Sequence, residues 1–179
     1  MLPERGVYFR REDYASFWRR LLVGLIDTIV YLVLSLILSI PLAFVSLSSQ
    51  ATLNLILLIW VIVALFYFVI LKRSPFRTIG YLFGGVRVVG LDGQPPDYSS
   101  MILRWMFALL SPLNCVDLFW MSHDAHRQAL HDKFAGTYVV KSKAQPAGQG
   151  RIVFHHYEIL QYICMFREVK AESIASHAD

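Results

Sequence analysis

The sequence predicts an all-α membrane protein. Two transmembrane helices and a third apolar segment, which either spans or re-enters the membrane, form a small bundle beside a short surface pair of strands. Two observations support this fold class. The 179-residue chain is 56% hydrophobic and only 17% charged, whereas about a quarter of the residues in a soluble domain are charged. Two predominantly apolar stretches, residues 21–45 and 53–71, are each long enough to cross a bilayer as a helix.

The distribution of charge agrees with this fold class and argues against a nucleic-acid partner. The net charge is +4, but the Lys and Arg residues flank the apolar stretches instead of covering a soluble face. Such flanking charges orient a chain in a membrane. The two cysteines, Cys115 and Cys164, are distant in sequence and provide neither a CxxC motif nor a disulfide framework.

The first two spans are predicted to form an antiparallel hairpin, because the uncharged connection between residues 20–45 and residues 53–71 is short. Basic residues lie in the leader, residues 1–19, and again directly after the second span, at Lys72 and Arg73. The positive-inside rule places both of these flanks in the cytoplasm. We therefore expect a multi-pass protein with a cytoplasmic N-terminus.

The region after the second span is predicted to lie at the membrane surface. Residues 75–85 mix apolar side chains with three glycines, which favours a short interfacial amphipathic helix. Residues 86–89 are β-branched apart from one arginine and are followed by the turn signal Asp92-Gly93. They predict a surface strand, and residues 137–140 are its expected partner.

The third apolar segment, residues 99–121, leaves two topologies open. It contains Arg104, Pro112 and Asp117, so it can be one span with polar residues or a re-entrant hairpin that turns near Pro112. The hairpin keeps the basic C-terminal region in the cytoplasm and is tolerated where protein buries the turn. A single span instead places that region outside.

The chain divides into the leader, a membrane domain over residues 20–141, and a linker and tail over residues 142–179. Apolar residues recur between residues 152 and 166 at a mixed period. This stretch is too short and too polar to span a bilayer, so it predicts a tail helix that lies on a surface or faces a partner.

The most informative polar residue is Asp27, because it lies inside the first apolar span. A carboxylate at this depth costs about 2.5 to 3.5 kcal/mol on insertion scales, and such residues are functional-site candidates. Arg20 precedes it by seven residues, so both side chains share one helix face and are separated by roughly 10 Å of rise. We expect Arg20 to anchor the end of the helix by extending toward the headgroups.

Three segments resemble the RDD family of bacterial membrane proteins: residues 20–27 (RLLVGLID), residues 84–93 (GGVRVVGLDG) and residues 131–137 (HDKFAGT). The resemblance covers about residues 16–141. It implies a protein of the bacterial cytoplasmic membrane, in a family presumed to take part in the transport of unidentified ligands.

By position, the resemblance implies that Arg20 is the family arginine and Asp27 is its first aspartate. Either Asp132 or Asp117 is the second. The third segment, together with the arginine that precedes it, adds further motif residues to these, namely Arg127, His131, Gly136 and Thr137.

The residues alone also predict a polar site formed by Asp27, Arg104 and Asp117. If the chain turns at Pro112, Arg104 can neutralise either carboxylate inside the bundle. Two carboxylates that share one arginine titrate as a coupled set, as a proton-coupled cation exchanger requires. The alternative is a structural salt bridge that holds the helices together.

No catalytic motif is present, so we expect neither enzymatic activity nor a cofactor. His123, Asp124, His126, His131 and Asp132 cluster in sequence. Their spacing matches no strong zinc signature, and a local role for Asp132 is simpler: it can accept hydrogen bonds and fix the turn that leads to Thr137.

These observations support two functional hypotheses. In the first, the protein transports a small ion or solute, with cation/proton exchange as one form, through a site that contains Asp27; a homo-oligomer in the lipid bilayer encloses the path. In the second, it is a non-transporting scaffold or regulatory partner, in which Arg and Asp residues only hold helices together.

Overall fold

In the computed structural model, the residues described are 5–45, 48–110, 120–121, 124, 127–159 and 162–171. The helices in this part of the chain are α1 (Phe17–Ser39), α2 (Ser49–Leu65), α3 (Ile79–Phe83), α4 (Tyr98–Leu110) and α5 (Leu130–Ala135). A 3₁₀ turn, Ile40–Phe44, follows α1, and a π-helical segment, Phe66–Leu71, extends α2.

The strands form two antiparallel sheets. They are β1 (Arg5–Tyr8), β2 (Val86–Gly90), β3 (Thr137–Lys141), β4 (Gly148–Ile159) and β5 (Tyr162–Ala171). One sheet has the order β1-β4-β5, and β2 pairs with β3 in the other.

The two long apolar helices form the predicted hairpin. Residues 17–44 and 49–71 are long and apolar enough to cross a bilayer. The most apolar 18-residue stretch of each has a mean hydropathy of 2.6 and 2.8, respectively, and only 17% of that stretch is buried. Core helices of a soluble protein are mostly buried, so this exposure is typical of helices that face lipid. Asp27 contacts Tyr67, whereas Ser39, farther along α1, contacts Trp60, earlier in α2. The two helices are therefore antiparallel.

Local sequence explains where these helices begin and end. Pro41 lies in the first turn of the 3₁₀ segment, and because proline lacks an N–H group it interrupts the α-helical hydrogen bonds of α1. Ser48 caps α2 by accepting a hydrogen bond from the amide of Ala51 at 3.3 Å.

The β2–β3 pair is the middle layer of the fold, with a different core on each face. Val86 and Val88 pack toward α1, α3 and α4, in a cluster that contains Val23 and Met101. Alternate residues point to the other face. There, Val89, Tyr138 and Val140 join Phe9, Tyr14, Leu91 and Val169 in the core beneath the three-stranded sheet.

The leader and the tail fold together. The leader strand β1 pairs with β4, from Arg5 opposite Arg151 to Tyr8 opposite Gly148. Further along the leader, the amide of Ala15 donates a hydrogen bond to the Val139 carbonyl at 2.9 Å. The leader therefore links both sheets immediately before α1.

The predicted tail helix is wrong, because residues 148–159 and 162–171 form the hairpin β4–β5. The apolar residues of this region recur at a mixed period, and a short apolar run of this kind does not separate a strand from a helix. With two sheets present, the fold is mostly helical and not all-α.

The other surface predictions agree with the structure. Helix α3 lies within the predicted interfacial region, residues 75–85, and β2 pairs with β3 as expected. The third apolar segment is helical from Tyr98 to Leu110. The predicted turn at Pro112 and the carboxylate of Asp117 lie outside the described residues.

Candidate functional site

Asp27 is completely buried, and three neutral donors satisfy its carboxylate. Its Oδ1 accepts hydrogen bonds from the Tyr67 hydroxyl at 3.0 Å and from the Gly80 amide at 2.8 Å. Its Oδ2 accepts a hydrogen bond from the Thr78 hydroxyl at 2.8 Å. Asp27 thus ties α1 to the π-helical segment and to the first turn of α3, where amides lack partners within the helix.

Lys72 is the nearest cation to Asp27 among the described residues. Its Nζ lies 3.9 Å from Asp27 Oδ2 and also lies over the rings of Tyr81 and Phe68, at 4.5 and 5.5 Å from their centroids. The separation from Asp27 exceeds that of a hydrogen bond. The π-helical segment contains Tyr67 and immediately precedes Lys72, and such segments are frequent at functional sites.

Glycines allow α3 to approach α1 closely at this site. A Cβ atom on Gly80 would lie 2.5 Å from the Val23 carbonyl oxygen and 2.6 Å from Asp27 Oδ1. A Cβ atom on Gly84, one turn later, would overlap the Val23 side chain. The hydrogen bond between Gly80 and Asp27 therefore requires a residue without a side chain. The spacing Gly80-x-x-x-Gly84 is the sequence signal for this contact.

The second buried carboxylate, Asp132, is paired with two arginines. Arg20 Nη1 donates to Oδ2 and Arg104 Nη1 donates to Oδ1, and Asp132 is completely buried. The Ala129 amide donates to Oδ2 at 3.2 Å, and His131 Nε2 lies 3.2 Å from Oδ1. Asp132 therefore connects α1, α4 and α5.

Both arginines make further contacts that fix this arrangement. Arg104 Nη1 donates to the Thr137 hydroxyl at 2.5 Å. Arg20 Nη2 donates to the Arg127 carbonyl at 2.8 Å. Gly136, between α5 and β3, has a φ of 62°, in the left-handed region that favours glycine. It turns the chain so that Thr137 begins β3 beside Arg104.

The electrostatics of Asp132 follow from these pairs. Burial alone would raise the pKa of this carboxyl, but the guanidinium groups of Arg104 and Arg20 lower the pKa well below its usual value. Asp132 is therefore an ionised structural centre.

A second charged cluster lies beside Asp132 in sequence. Lys133 is buried and pairs with Asp124 at 2.5 Å and with Glu168 of β5. Burial lowers the pKa of Lys133, but the hydrogen bonds with Asp124 and Glu168 outweigh it and raise the pKa. This cluster attaches α5 to the three-stranded sheet.

One cavity of about 510 Å³ borders both carboxylate sites. Its charged and titratable lining residues are Arg20, Asp27, Lys72, Arg104 and His131. The rest of the lining is mostly apolar and includes Leu21, Leu25, Tyr31, Phe68, Trp105 and Val139. Three cations thus share a mostly apolar cavity with one lining carboxylate.

Residues 14–136 match the model of the RDD family. The match extends over more than half of the 179 residues. The chain belongs to the RDD family. No curated protein and no solved structure matches it. Together with the two long apolar helices, membership identifies an RDD membrane protein.

The RDD motif residues divide between two centres. Arg20 and Asp27 face the same cavity but do not pair with each other; Arg20 pairs with Asp132. Of the two candidates for the second family aspartate, Asp132 therefore has the contact with Arg20. Asp117 lies outside the described residues.

Two predicted contacts of the arginines are wrong. Arg104 pairs with Asp132 and not with Asp27. Arg20 is not an exposed anchor at the helix end; its side chain is only 7% exposed, because Asp132 holds it inside the protein. The predicted role of Asp132 as a local hydrogen-bond acceptor is confirmed by its contact with Ala129, but the long-range arginine pairs dominate.

Sequence reasoning missed the partners of Asp27. Tyr67 resembles any other aromatic residue in the second span, and Lys72 resembles a flanking charge. Only Gly80 carried a signal, through its spacing to Gly84.

The histidine cluster gives no metal site within the described residues, where no group of three or more His, Cys, Asp or Glu side chains could hold an ion. Asp132 instead forms an arginine centre with Arg20 and Arg104, and His131 lies beside it. His123 and His126 lie outside the described residues.

Proposed function

We propose that this RDD protein transports a small ion or solute across the bacterial cytoplasmic membrane through a site that contains Asp27, with cation/proton exchange as the simplest form. The supporting observation is the cavity, which borders Arg20 at the start of α1 and Asp27 two helical turns deeper. A buried carboxylate beside a cavity inside an apolar span is typical of ion pathways.

The contacts of Asp27 suit a group whose charge changes. Lys72 is 3.9 Å away and its side chain is 18% exposed, so a proton or a small cation can replace it without breaking a short ion pair. Meanwhile, the Thr78 hydroxyl and the Gly80 amide keep the carboxyl group in place. In the proposed exchange, Asp27 alternates between a proton and the transported cation.

The proposed topology is multi-pass, with the leader and Lys72 on the cytoplasmic side, as the positive-inside rule predicts. A homo-oligomer completes the path, because α1, α2 and α4 of one chain are too few to enclose a polar route across a bilayer.

The experiment measures cation-driven pH change in sealed proteoliposomes with sodium, potassium or no added cation. The wild type is expected to move protons in a cation-dependent way, and Asp27→Asn to lose this movement because an amide does not titrate. Glu12→Gln is the matched control, since it also removes a carboxylate charge but from a side chain that is 73% exposed. Equal flux from wild type and Asp27→Asn would contradict the proposal.

A scaffold function is the second candidate, and the arginine centre favours it. Arg20, Arg104 and Asp132 join α1, α4 and α5 through contacts inside one chain, as residues that only hold elements together would do. Under this alternative, correctly inserted wild-type protein gives no flux with any cation, and Asp27→Asn keeps the wild-type fold and assembly.

A further inference from the structure

The arginine centre lies at the outer end of the cavity, by which we mean the end beside the start of α1. It has more positive charge than its one carboxylate neutralises. Arg20 and Arg104 share Asp132, which leaves one unit of positive charge at this centre when only the described residues are counted. The cluster of Asp124, Lys133 and Glu168 has one net negative charge, but none of these three residues lines the cavity. The cavity side of the centre is therefore cationic.

The same arginines also have hydrogen-bond donors in excess. A guanidinium group carries five N–H donors. The Arg20 side chain is more than nine-tenths buried, yet its Nε has no hydrogen-bond partner among the described residues. In the part of the chain that the structure describes, Arg104 Nη2 has only a 3.5 Å contact with His131 Nε2. Arg20 and Arg104 both line the cavity, and because buried donors without acceptors cost free energy, these two side chains favour an acceptor there.

We propose that the outer end of this cavity binds one phosphate oxyanion, with Arg20 and Arg104 as the principal contacts. Guanidinium groups match phosphate in shape as well as in charge. This site goes beyond the transport function proposed above, because the arginines attract an oxyanion whether or not Asp27 carries a proton. Asp27 itself lies roughly 10 Å deeper along α1.

The phosphate can come from a membrane lipid or from solution, and the cavity favours a lipid. Most of the lining beyond the arginines is apolar, which suits an acyl chain. Two of the lining residues, Leu21 and Leu25, are 42% and 59% exposed on the outer face of α1. The cavity thus borders a helix face that is typical of lipid contact. Phosphate lies at headgroup level, where Arg20 begins the apolar span.

The test measures thermal unfolding of the purified full-length protein in a neutral detergent at constant ionic strength. The probes are short-chain phosphatidylglycerol, short-chain phosphatidylcholine and inorganic phosphate. A ligand that binds only the folded state raises Tm as its concentration rises. Phosphatidylglycerol is expected to raise Tm saturably and phosphatidylcholine, whose choline cancels the phosphate charge, much less. A saturable rise with inorganic phosphate as well would support the oxyanion site and identify solution as a source. No rise with either anion would overturn the proposal.

Gly24→Leu tests whether the anion binds in this cavity. Gly24 lines the cavity, and a Cβ atom there would have no neighbour within 4 Å. The larger side chain is therefore expected to fill the cavity without disturbing α1 and to weaken phosphatidylglycerol binding by at least about tenfold. Val33→Leu enlarges a residue on an exposed face of α1 outside the cavity and is expected to bind like wild type. A full response from Gly24→Leu would place the ligand elsewhere and overturn the proposal.

Arg20→Lys tests the contact itself. Lysine keeps a positive charge beside Asp132 but lacks the planar guanidinium group and its Nε donor. Loss of one charge-assisted hydrogen bond corresponds to about tenfold weaker phosphatidylglycerol binding. Affinity is measured as the rise above the variant's own Tm without additive, so a lower starting stability does not affect the result. Unchanged affinity in Arg20→Lys would exclude Arg20 as the principal contact. Neither experiment measures flux, so their failure is distinct from failure of the transport proposal.

Discussion

Asp27 and Asp132 are both completely buried carboxylates beside one cavity, but the protein stabilises them in different ways. Asp132 is paired directly with two guanidinium groups. Asp27 has three neutral hydrogen-bond donors and one ammonium group 3.9 Å away. The Asp132 carboxylate is thus stabilised by opposite charges, whereas the Asp27 carboxylate is stabilised by neutral hydrogen-bond donors and by the close packing of α3 against α1.

The difference indicates which carboxylate can change its charge without unfolding the protein. Protonation of Asp132 would leave two buried guanidinium groups without a counter-charge. Protonation of Asp27 on Oδ2 would remove the long contact with Lys72 and reverse the Thr78 hydrogen bond, because a hydroxyl group can accept as well as donate, and it would leave no buried charge without a short counter-ion contact. The arginine centre is therefore suited to structure, and Asp27 is suited to a changing charge state.

The largest expected effect is that of Asp132→Asn. Loss of this charge leaves Arg20 and Arg104 buried without a counter-ion, and breaking a buried pair in this way costs about 3 to 5 kcal/mol. The measurement is the free energy of unfolding in detergent. Glu12→Gln, on the exposed surface, is the control and is expected to change stability by less than about 0.5 kcal/mol. A similarly small change for Asp132→Asn would mean that the pairs contribute little.

Acid pH should remove the same stabilisation in the wild type. The folded-state pKa of Asp132 is well below its usual value of 3.8. Its contribution is therefore fully present above the unfolded pKa and is lost as pH falls through the folded pKa. The stability difference between wild type and Asp132→Asn is expected not to shrink between about pH 7 and pH 5 and to shrink below about pH 4. A difference that shrinks already near neutral pH would contradict the lowered pKa.

Gly80→Ala tests the packing on which the Asp27 site depends. The new methyl group would lie 2.5 Å from the Val23 carbonyl oxygen, so α3 must move away from α1. Overpacking of this kind costs about 1 to 3 kcal/mol, and we expect the hydrogen bond from the residue 80 amide to Asp27 to lengthen.

Gly24→Ala is the matched control for this prediction. Its methyl group meets no atom within 4 Å, so higher helix propensity should leave stability unchanged or raise it by up to about 1 kcal/mol. Unfolding in detergent separates the two variants. Equal stability of Gly80→Ala and Gly24→Ala would show that the close contact between α3 and α1 is not required.

The sequence predicted elements whose determinants are local. The two apolar spans, the short helix in residues 75–85 and the β2–β3 pair each have a pattern that can be read within one segment. The resemblance likewise located Arg20 and Asp27 as family residues before the structure showed their partners. Hydrophobic length and β-branching act over a few neighbouring residues, and this is why they are visible in one sequence.

The partners of the site residues could not be predicted, because each is distant in sequence. Arg20 contacts Asp132 across 112 positions, and Asp27 contacts Tyr67 across 40 positions. The β4–β5 hairpin was missed for another reason: its two strands are neighbours in the chain, but their apolar residues recur at a mixed period that does not separate a strand from a helix. Charge type alone allowed Arg104 to pair with any buried carboxylate, and only the fold selects Asp132.

The smallest expected effect is that of Asp27→Asn on stability. The amide oxygen can take the place of Oδ1 and still accept hydrogen bonds from Tyr67 and Gly80, so only the contact with Lys72 and the direction of the Thr78 hydrogen bond change. Hydrogen bonds between membrane helices contribute about 0.6 kcal/mol on average and at most about 1.7, and the variant should lose no more than this in detergent unfolding. Asp27→Leu, which leaves Thr78 and Gly80 without an acceptor, is the control and should lose more. A loss for Asp27→Asn as large as that for Asp132→Asn would mean that both carboxylates depend on ion pairs, and the contrast between the two sites would no longer hold.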